Sequence, residues 1–193
     1  VIDKNSKYGY RDYMIILLMY ESAIRVSELI NVRLIDFRFS KPYSIKIVGK
    51  GNKQRYVPLS EQFIEKVQEY VLSLNNKKLE TDFLFTNHSN NKLTRAGVSH
   101  ILNKYVTIAR NNNPSLFKEN VTPHSLRHTK AMHLLQDDVN LIYIRDILGH
   151  ASIQTTEIYA RADSARLRQA IEKSYKELST ETKCEWQEEE IIN

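Results

Sequence analysis

The sequence predicts a mainly α-helical fold with a small antiparallel β-sheet, an α+β arrangement, and three observations lead to this prediction. Apolar residues recur at helical spacing through most of the chain. Residues 41–60 depart from that spacing: they hold the turn sequence GKGN and alternate apolar with polar side chains at Tyr43, Ile45 and Ile47. Glycine stands where a predicted helix ends, at Gly149, which favours a left-handed cap there.

The elements follow in order along the chain. Helices are predicted over residues 8–21, 25–32, 60–74, 94–108, 122–136, 141–148, 152–163 and 164–179. Ser60 and Thr94 are expected N-caps, and Pro123 suits the first turn of its helix. The inward side chains predicted for the first two helices are Tyr13, Ile16, Leu17, Tyr20, Val26, Leu29 and Ile30.

Composition is that of a globular protein with a basic body. The 193 residues are 41% hydrophobic and 26% charged, and the single cysteine, Cys184, excludes a disulfide framework and a cysteine-built zinc site. Residues 14–19 are too short an apolar run to span a membrane, and the polar start is not a signal peptide, so we expect a reducing cytoplasm.

The charge is distributed unevenly. Five of the 23 acidic residues and one of the 28 basic residues lie in 180–193, so the rest of the chain carries a net charge of +9. We therefore expect a domain over residues 1–179 followed by an acidic tail. A body this basic indicates an anionic partner, nucleic acid before membrane.

Two cationic residues stand where packing does not explain them. Arg25 begins a predicted helix, where the macrodipole disfavours a cation, so it either binds an anion or pairs at the surface with Glu21 or Glu28. Lys50 lies between two glycines of the predicted hairpin turn, which lets the backbone approach a ligand closely. The spacing is not that of a phosphate-binding Walker loop.

The segment HSLRH places further candidates on one helix. His124 and Arg127 are three residues apart and share a face. His128 follows His124 by four residues, which suggests zinc, but the zinc-protease pattern requires glutamate where serine stands. We expect His128 to be a buried, hydrogen-bonded spacer. Beyond this segment, His150 follows the glycine cap, and Tyr159 is either a core residue or a functional one.

In chain order, these segments read R-x-S-E-L, G-K-G-N-K, H-x-x-R-H, L-G-H and T-T-x-I-Y. Together they resemble the tyrosine recombinase family, also called the phage integrase family, which includes lambda integrase and the Xer recombinases. The resemblance spans residues 25–159 and implies that family's catalytic-domain fold. Ala23 and Ile24 depart from it, since relatives commonly have glycine and leucine there.

The resemblance implies cutting and rejoining of double-stranded DNA. Tyr159 would be the nucleophile, forming a covalent 3′-phosphotyrosine and releasing a 5′-hydroxyl. Lys50 would protonate the leaving oxygen, although Lys46 and Lys53 lie close to it in sequence. His124 would be the general base or a partner in proton transfer, because histidine as a residue type titrates near neutral pH.

The resemblance also implies a phosphate clamp without a metal or cofactor. Arg25 and Arg127 would bind the nonbridging oxygens, and His150 would donate a further hydrogen bond. It implies a homo-oligomer, a tetramer on DNA. An N-terminal DNA-clamping domain is expected to be absent from this chain, and DNA affinity is accordingly expected to be modest.

Alternatives remain at this point. A type IB topoisomerase shares the chemistry, and a catalytically idle DNA-binding regulator shares the fold. The tail either docks on a neighbouring subunit through Trp186, Ile191 and Ile192 or is disordered.

Overall fold

The computed structural model describes residues 1–74, 79–116, 120–150, 152 and 154–156. The described part is mainly helical, with one small sheet after the second helix, as predicted. The helices are α1 (Gly9–Ser22), α2 (Val26–Leu29), α3 (Glu61–Ser73), α4 (Arg95–Asn112), α5 (Pro123–Gln136) and α6 (Leu141–Leu148). The short 3-10 turns are Leu34–Asp36, Lys50–Asn52 and Pro114–Leu116.

The sheet has three antiparallel strands in the order β1 (Phe37–Arg38), β2 (Ser44–Val48) and β3 (Gln54–Pro58). The central register pairs Ile45 with Val57 and Ile47 with Arg55. Alternation along β2 buries Ile45 and Ile47, as the sequence predicts. The hairpin is confirmed, and β1 is an additional strand that its short length hides from sequence patterns.

Helix α1 lies at the centre of the main core and packs against α2, α3, α4 and α5. The prediction of its inward face is wrong. The completely buried apolar side chains are Met14, Ile15, Leu18 and Met19, whereas the predicted set is only partly buried. Because residues 14–19 are apolar on every side, periodicity does not identify the face. The tyrosines lie at the margins, where Tyr20 Oη reaches His133 Nδ1 at 2.6 Å.

Capping sets several helix boundaries as predicted. The side-chain oxygens of Ser60 and Thr94 accept hydrogen bonds from the backbone N–H groups of Phe63 and Gly97. Helix α6 ends at Gly149, which has φ 61°, in the left-handed region. Helix α2 is shorter than predicted, since it is a single turn from residue 26 to residue 29.

A second apolar cluster joins α5 and α6 to the end of α1. Its fully buried members are Ala23, Ala131, Ile144 and Leu148. This packing brings the C-terminal ends of α1 and α6 beside the first turns of α5. Among the described residues, no helix is long and apolar enough to cross a membrane.

The helix predicted over residues 164–179 and the acidic tail lie outside the described residues, as does most of the helix predicted over 152–163. Those elements stay predictions.

Replacing Leu18 by alanine tests the central position of α1. Leu18 is fully buried, so we expect Leu18→Ala to lower the free energy of unfolding by about 2–5 kcal/mol, through lost burial and a residual cavity. Leu72→Ala is the matched control, since Leu72 is 71% exposed on α3. Urea unfolding followed by circular dichroism measures both. A loss at Leu18 no greater than at Leu72 would contradict this core assignment.

Candidate functional site

The Glu28 carboxylate is a buried ionic contact between α2 and the sheet. Its side chain is 4% exposed, and its oxygens accept from Arg55 Nη1 at 2.9 Å and from Arg55 Nη2 at 2.8 Å. They also accept from the Arg25 backbone N–H at 2.8 Å and from Arg25 Nη1 at 3.2 Å. Burial raises the pKa of Glu28, but these hydrogen bonds and both positive charges outweigh burial and bring the pKa below its usual value.

Arg25 is held at the N-terminus of α2 by that carboxylate. Glu28 lies in the first helical turn, so it supplies the anion that the position of Arg25 requires. The pairing considered from sequence is confirmed, although Glu28 is buried and not at the surface. The Arg25 side chain remains 43% exposed, and its Nη2 donates to the carbonyl oxygen of Gly149 at 3.3 Å. Arg25 therefore extends from α2 to the end of α6 and still reaches solvent.

Arg127 is buried, with only 4% of the residue exposed. Its Nη1 donates to the carbonyl oxygen of Ala23 at 2.7 Å, and its Nη2 donates to that of Leu148 at 2.6 Å. These carbonyls lie at the C-terminal ends of α1 and α6, where helix dipoles favour a cation. The guanidinium is therefore fixed between two helix ends.

Ala23 occupies a backbone conformation that favours glycine. Its φ of 49° and ψ of 29° are left-handed, and the residue is completely buried. The position at which the sequence departs from the family resemblance therefore carries local backbone strain. Packing of Ala23 in the second apolar cluster and its contact with Arg127 hold the turn.

His150 lies directly after the left-handed Gly149. Its Nδ1 is 3.1 Å from Thr156 Oγ1, which links it to a buried residue three positions before Tyr159. Burial and then the positive charges of Arg127, Arg25 and Arg55 lower the pKa of His150 to about 4. His150 is therefore neutral at pH 7 and acts as a hydrogen-bonding group, not as a cation.

His124 lies close enough to His150 for the two imidazoles to interact electrostatically. It is exposed in the first turn of α5. The prediction that His128 is a buried spacer is wrong, since His128 is exposed. The inward positions of α5 are Arg127 and Ala131, and the residue after Arg127 points about 100° away from that face.

The remaining predicted residues are described less completely. The backbone of Lys50 lies in the turn joining β2 to β3, where Gly51 adopts φ 72° and Gly49 N–H donates to the Lys53 carbonyl at 2.8 Å. The Lys50 side chain and all of Tyr159 lie outside the described part of the structure. Their roles stay predictions.

Sequence reasoning missed Arg55 and the burial of Glu28. The signal for Arg55 was present: the alternation that buries Val57 points Arg55 inward as well, and an inward arginine requires a partner. Its Nε donates to the Ile147 carbonyl at 2.9 Å, so Arg55 also contacts the last turn of α6.

The cluster is suited to binding an anion through two of its oxygens. Arg25, Arg55 and Arg127 carry three positive charges against the one negative charge of Glu28, and Arg25 reaches solvent. Guanidinium groups and a neutral imidazole match the nonbridging oxygens of a phosphate ester. Within the described residues, no group of three or more acidic, histidine or cysteine side chains could hold a metal ion.

The pKa of His150 gives a direct test of this geometry. A pH titration followed by NMR should place its midpoint at about 4, and Arg25→Gln should raise that midpoint because it removes one nearby positive charge. Arg38→Gln is the control, because Arg38 is exposed on the sheet edge.

The lowered pKa of His150 also affects stability. Between pH about 6.5 and 4, His150 is protonated in the unfolded chain but not in the folded chain, so the free energy of unfolding decreases as pH falls through this range. A midpoint near 6.5 would contradict the cluster.

Comparisons with known proteins identify the family of the chain. Residues 2–166 match the phage integrase family. The chain is 36% identical over 168 residues to tyrosine recombinase XerC of Staphylococcus epidermidis, covering 86% of this chain and 54% of that protein. It is 37% identical over 167 residues to tyrosine recombinase XerA of Pyrococcus horikoshii, covering 85% of this chain and 55% of the relative. The chain thus spans about half the length of these relatives.

Solved structures share the fold. The XerH site-specific recombinase, bound to palindromic difH substrate in a post-cleavage complex, superposes with a TM-score of 0.74 at 30% identity, over 88% of this chain and 47% of that one. XerA recombinase superposes with a TM-score of 0.71 at 26% identity, over 95% of this chain and 61% of that one. The helical fold with its three-stranded sheet is that of a tyrosine recombinase catalytic domain, and the chain belongs to the phage integrase family.

Proposed function

We propose that this chain is the catalytic part of a site-specific DNA recombinase that cuts and rejoins double-stranded DNA through a covalent 3′-phosphotyrosine. The observation that carries the proposal is the convergence of Arg25, Arg127 and His150, from three separate segments, at one place in the fold. Membership of the phage integrase family supports it.

The proposed reaction exchanges one phosphodiester for another. The Tyr159 oxygen forms a bond to phosphorus while the bond from phosphorus to the 5′-oxygen breaks. The tyrosine proton passes to His124, and a proton from Lys50 enters the departing 5′-oxygen. Religation reverses both transfers, so the step consumes no cofactor.

The clamp stabilises the charge that develops on the nonbridging oxygens. Arg127 is suited to this role because the ends of α1 and α6 fix its plane before DNA arrives. Arg25 is suited because Glu28 anchors one side of its guanidinium while much of the side chain is exposed. For His150, Nδ1 is engaged with Thr156, so we assign Nε2 to the phosphate.

Partners and setting are part of the proposal. We propose duplex DNA as substrate, since the XerH site-specific recombinase was solved bound to a palindromic difH substrate, and we propose a homotetramer assembled on that DNA, acting in the cytoplasm. The basic charge outside residues 180–193 supports a polyanionic partner.

A pool of nicked suicide duplexes with randomised bases around the scissile step tests the proposal for any target sequence. Chain covalently trapped on DNA would be recovered and its DNA sequenced, giving one duplex for later assays. Strand exchange between two such duplexes would exclude a pure topoisomerase. DNA binding with no adduct from the whole pool would favour an idle regulator and contradict the proposal.

Tyr159→Phe tests the nucleophile. We expect the covalent adduct on the recovered duplex to disappear, because the variant lacks the attacking oxygen, while DNA binding changes by less than about twofold. Denaturing gel electrophoresis measures the adduct, and Tyr143→Phe, at an exposed position of α6, is the matched control. An adduct formed by the Tyr159 variant would place the nucleophile elsewhere.

Lys50→Ala tests the general acid. Loss of a general acid should slow cleavage by roughly 10²–10⁴-fold on ordinary DNA. A duplex with sulfur in the 5′-bridging position should largely restore the rate, because a thiolate leaves without being protonated. Single-turnover cleavage on both substrates is the measurement.

Arg25→Ala is the control for that experiment and should not be restored, because it acts on the nonbridging oxygens. Restoration of Lys53→Ala would move the acid three residues along the hairpin. Equal impairment of Lys50→Ala on both substrates would remove Lys50 from proton transfer.

A further inference from the structure

Arg55 is a semi-buried arginine on β3 that the proposed reaction does not use. Its side chain is 13% exposed. Three of its donors are directed at protein acceptors: Nη1 and Nη2 at the two oxygens of Glu28, and Nε at the Ile147 carbonyl. A planar guanidinium with this paired geometry is held in one orientation, as a lysine ammonium in its place would not be.

Arg55 also packs against the turn that places His150. A Cβ atom built on Gly149 would lie 3.0 Å from Arg55 Cδ, 3.0 Å from Nη1 and 3.1 Å from Cζ. The positive φ of Gly149 favours glycine, and a side chain at this position would also press against Arg55. The Arg25 guanidinium donates to the carbonyl oxygen of the same glycine.

The hairpin turn and Arg55 are linked by the pairing of β2 with β3. Arg55 pairs with Ile47 in the β2–β3 ladder, and Val48 pairs with Gln54 directly before the turn. A Cβ on Gly49 would be 3.5 Å from Glu28 Oε1 and 3.8 Å from Arg55 Nη1, so the chain passes over the ionic pair as it enters the turn. The backbone of Lys50 follows immediately.

These contacts join three separate segments through one side chain. We propose that Arg55 is a positioning residue that sets the hairpin turn carrying Lys50 relative to the cluster of Arg25, Arg127 and His150. It touches neither DNA nor the reacting atoms, and it acts by holding the proton donor at the distance that the phosphate clamp defines. This inference rests on the proposed function, since it assumes that Lys50 protonates the leaving oxygen.

Arg55→Lys is the informative substitution, because it keeps the charge beside Glu28 and removes the paired geometry. A displacement of about 1 Å at a catalytic group costs roughly 10²-fold, so we expect cleavage of ordinary DNA to fall by roughly tenfold to a hundredfold. The 5′-sulfur duplex should restore the variant to within about threefold of the unmodified chain, and DNA affinity should be unchanged. Arg38→Lys, on the same sheet but exposed, is the control with no expected effect.

A double variant separates positioning from independent effects. If Arg55 acts through Lys50, then Lys50→Ala combined with Arg55→Lys should cleave ordinary DNA no more slowly than Lys50→Ala alone. Multiplication of the two losses would overturn the inference. Equal loss on oxygen and sulfur substrates in Arg55→Lys would also overturn it, because that result would place the effect on the clamp.

Two further measurements distinguish an effect of the substitution on folding from an effect on cleavage. Thermal unfolding is recorded for Arg55→Lys and for the milder Arg55→Gln, and the substrate comparison is made on whichever variant unfolds cooperatively above the assay temperature. Loss of cooperative unfolding in both would assign Arg55 to stability alone and overturn the inference. An unmodified chain that forms no adduct on either substrate would instead contradict the proposed function.

Discussion

The buried carboxylate of Glu28 is the interaction on which the site depends. Removing a carboxylate from water costs several kcal/mol unless its oxygens are paired, and here both oxygens accept from two arginines. Arg25 belongs to the start of α2, and Arg55 to β3. Because both arginines continue to carbonyls at the end of α6, this single buried charge determines how helix, hairpin and cap approach each other.

Arg127 is a buried positive charge, whereas Glu28 is a buried negative charge. Two helix C-termini, each carrying partial negative charge on its last carbonyls, meet at its guanidinium. Neutral backbone carbonyls therefore contribute to stabilising the buried Arg127. Burial, and then the excess of positive charge in the cluster, lowers the pKa of His150, and that charge favours an incoming anion. Two of these charges, those of Arg127 and Arg25, are also the ones we propose to bind phosphate.

The errors in prediction have physical causes. Residues 14–19 are apolar all round, so no periodicity identifies which face of α1 meets the core, and packing selected Met14 and Leu18 over the tyrosines. The prediction that His128 is buried is wrong because the face of α5 that turns inward is the one with Arg127. The burial of Arg55 is not predicted because an arginine in a strand is usually directed to solvent, and its contacts with Glu28 and with the Ile147 carbonyl compensate that burial.

The sequence by itself determined the fold class, the hairpin, most helix boundaries and the family, because these follow from local periodicity, capping residues and motif order. It also named Arg25, Arg127 and His150 as candidates, but not Arg55. Only the tertiary structure decided which carbonyls hold Arg127, that Glu28 is buried, and that Arg55 joins the hairpin to α6. Those contacts connect residues 21 to 104 positions apart, and the free energy of such pairs depends on burial and orientation that no local pattern encodes.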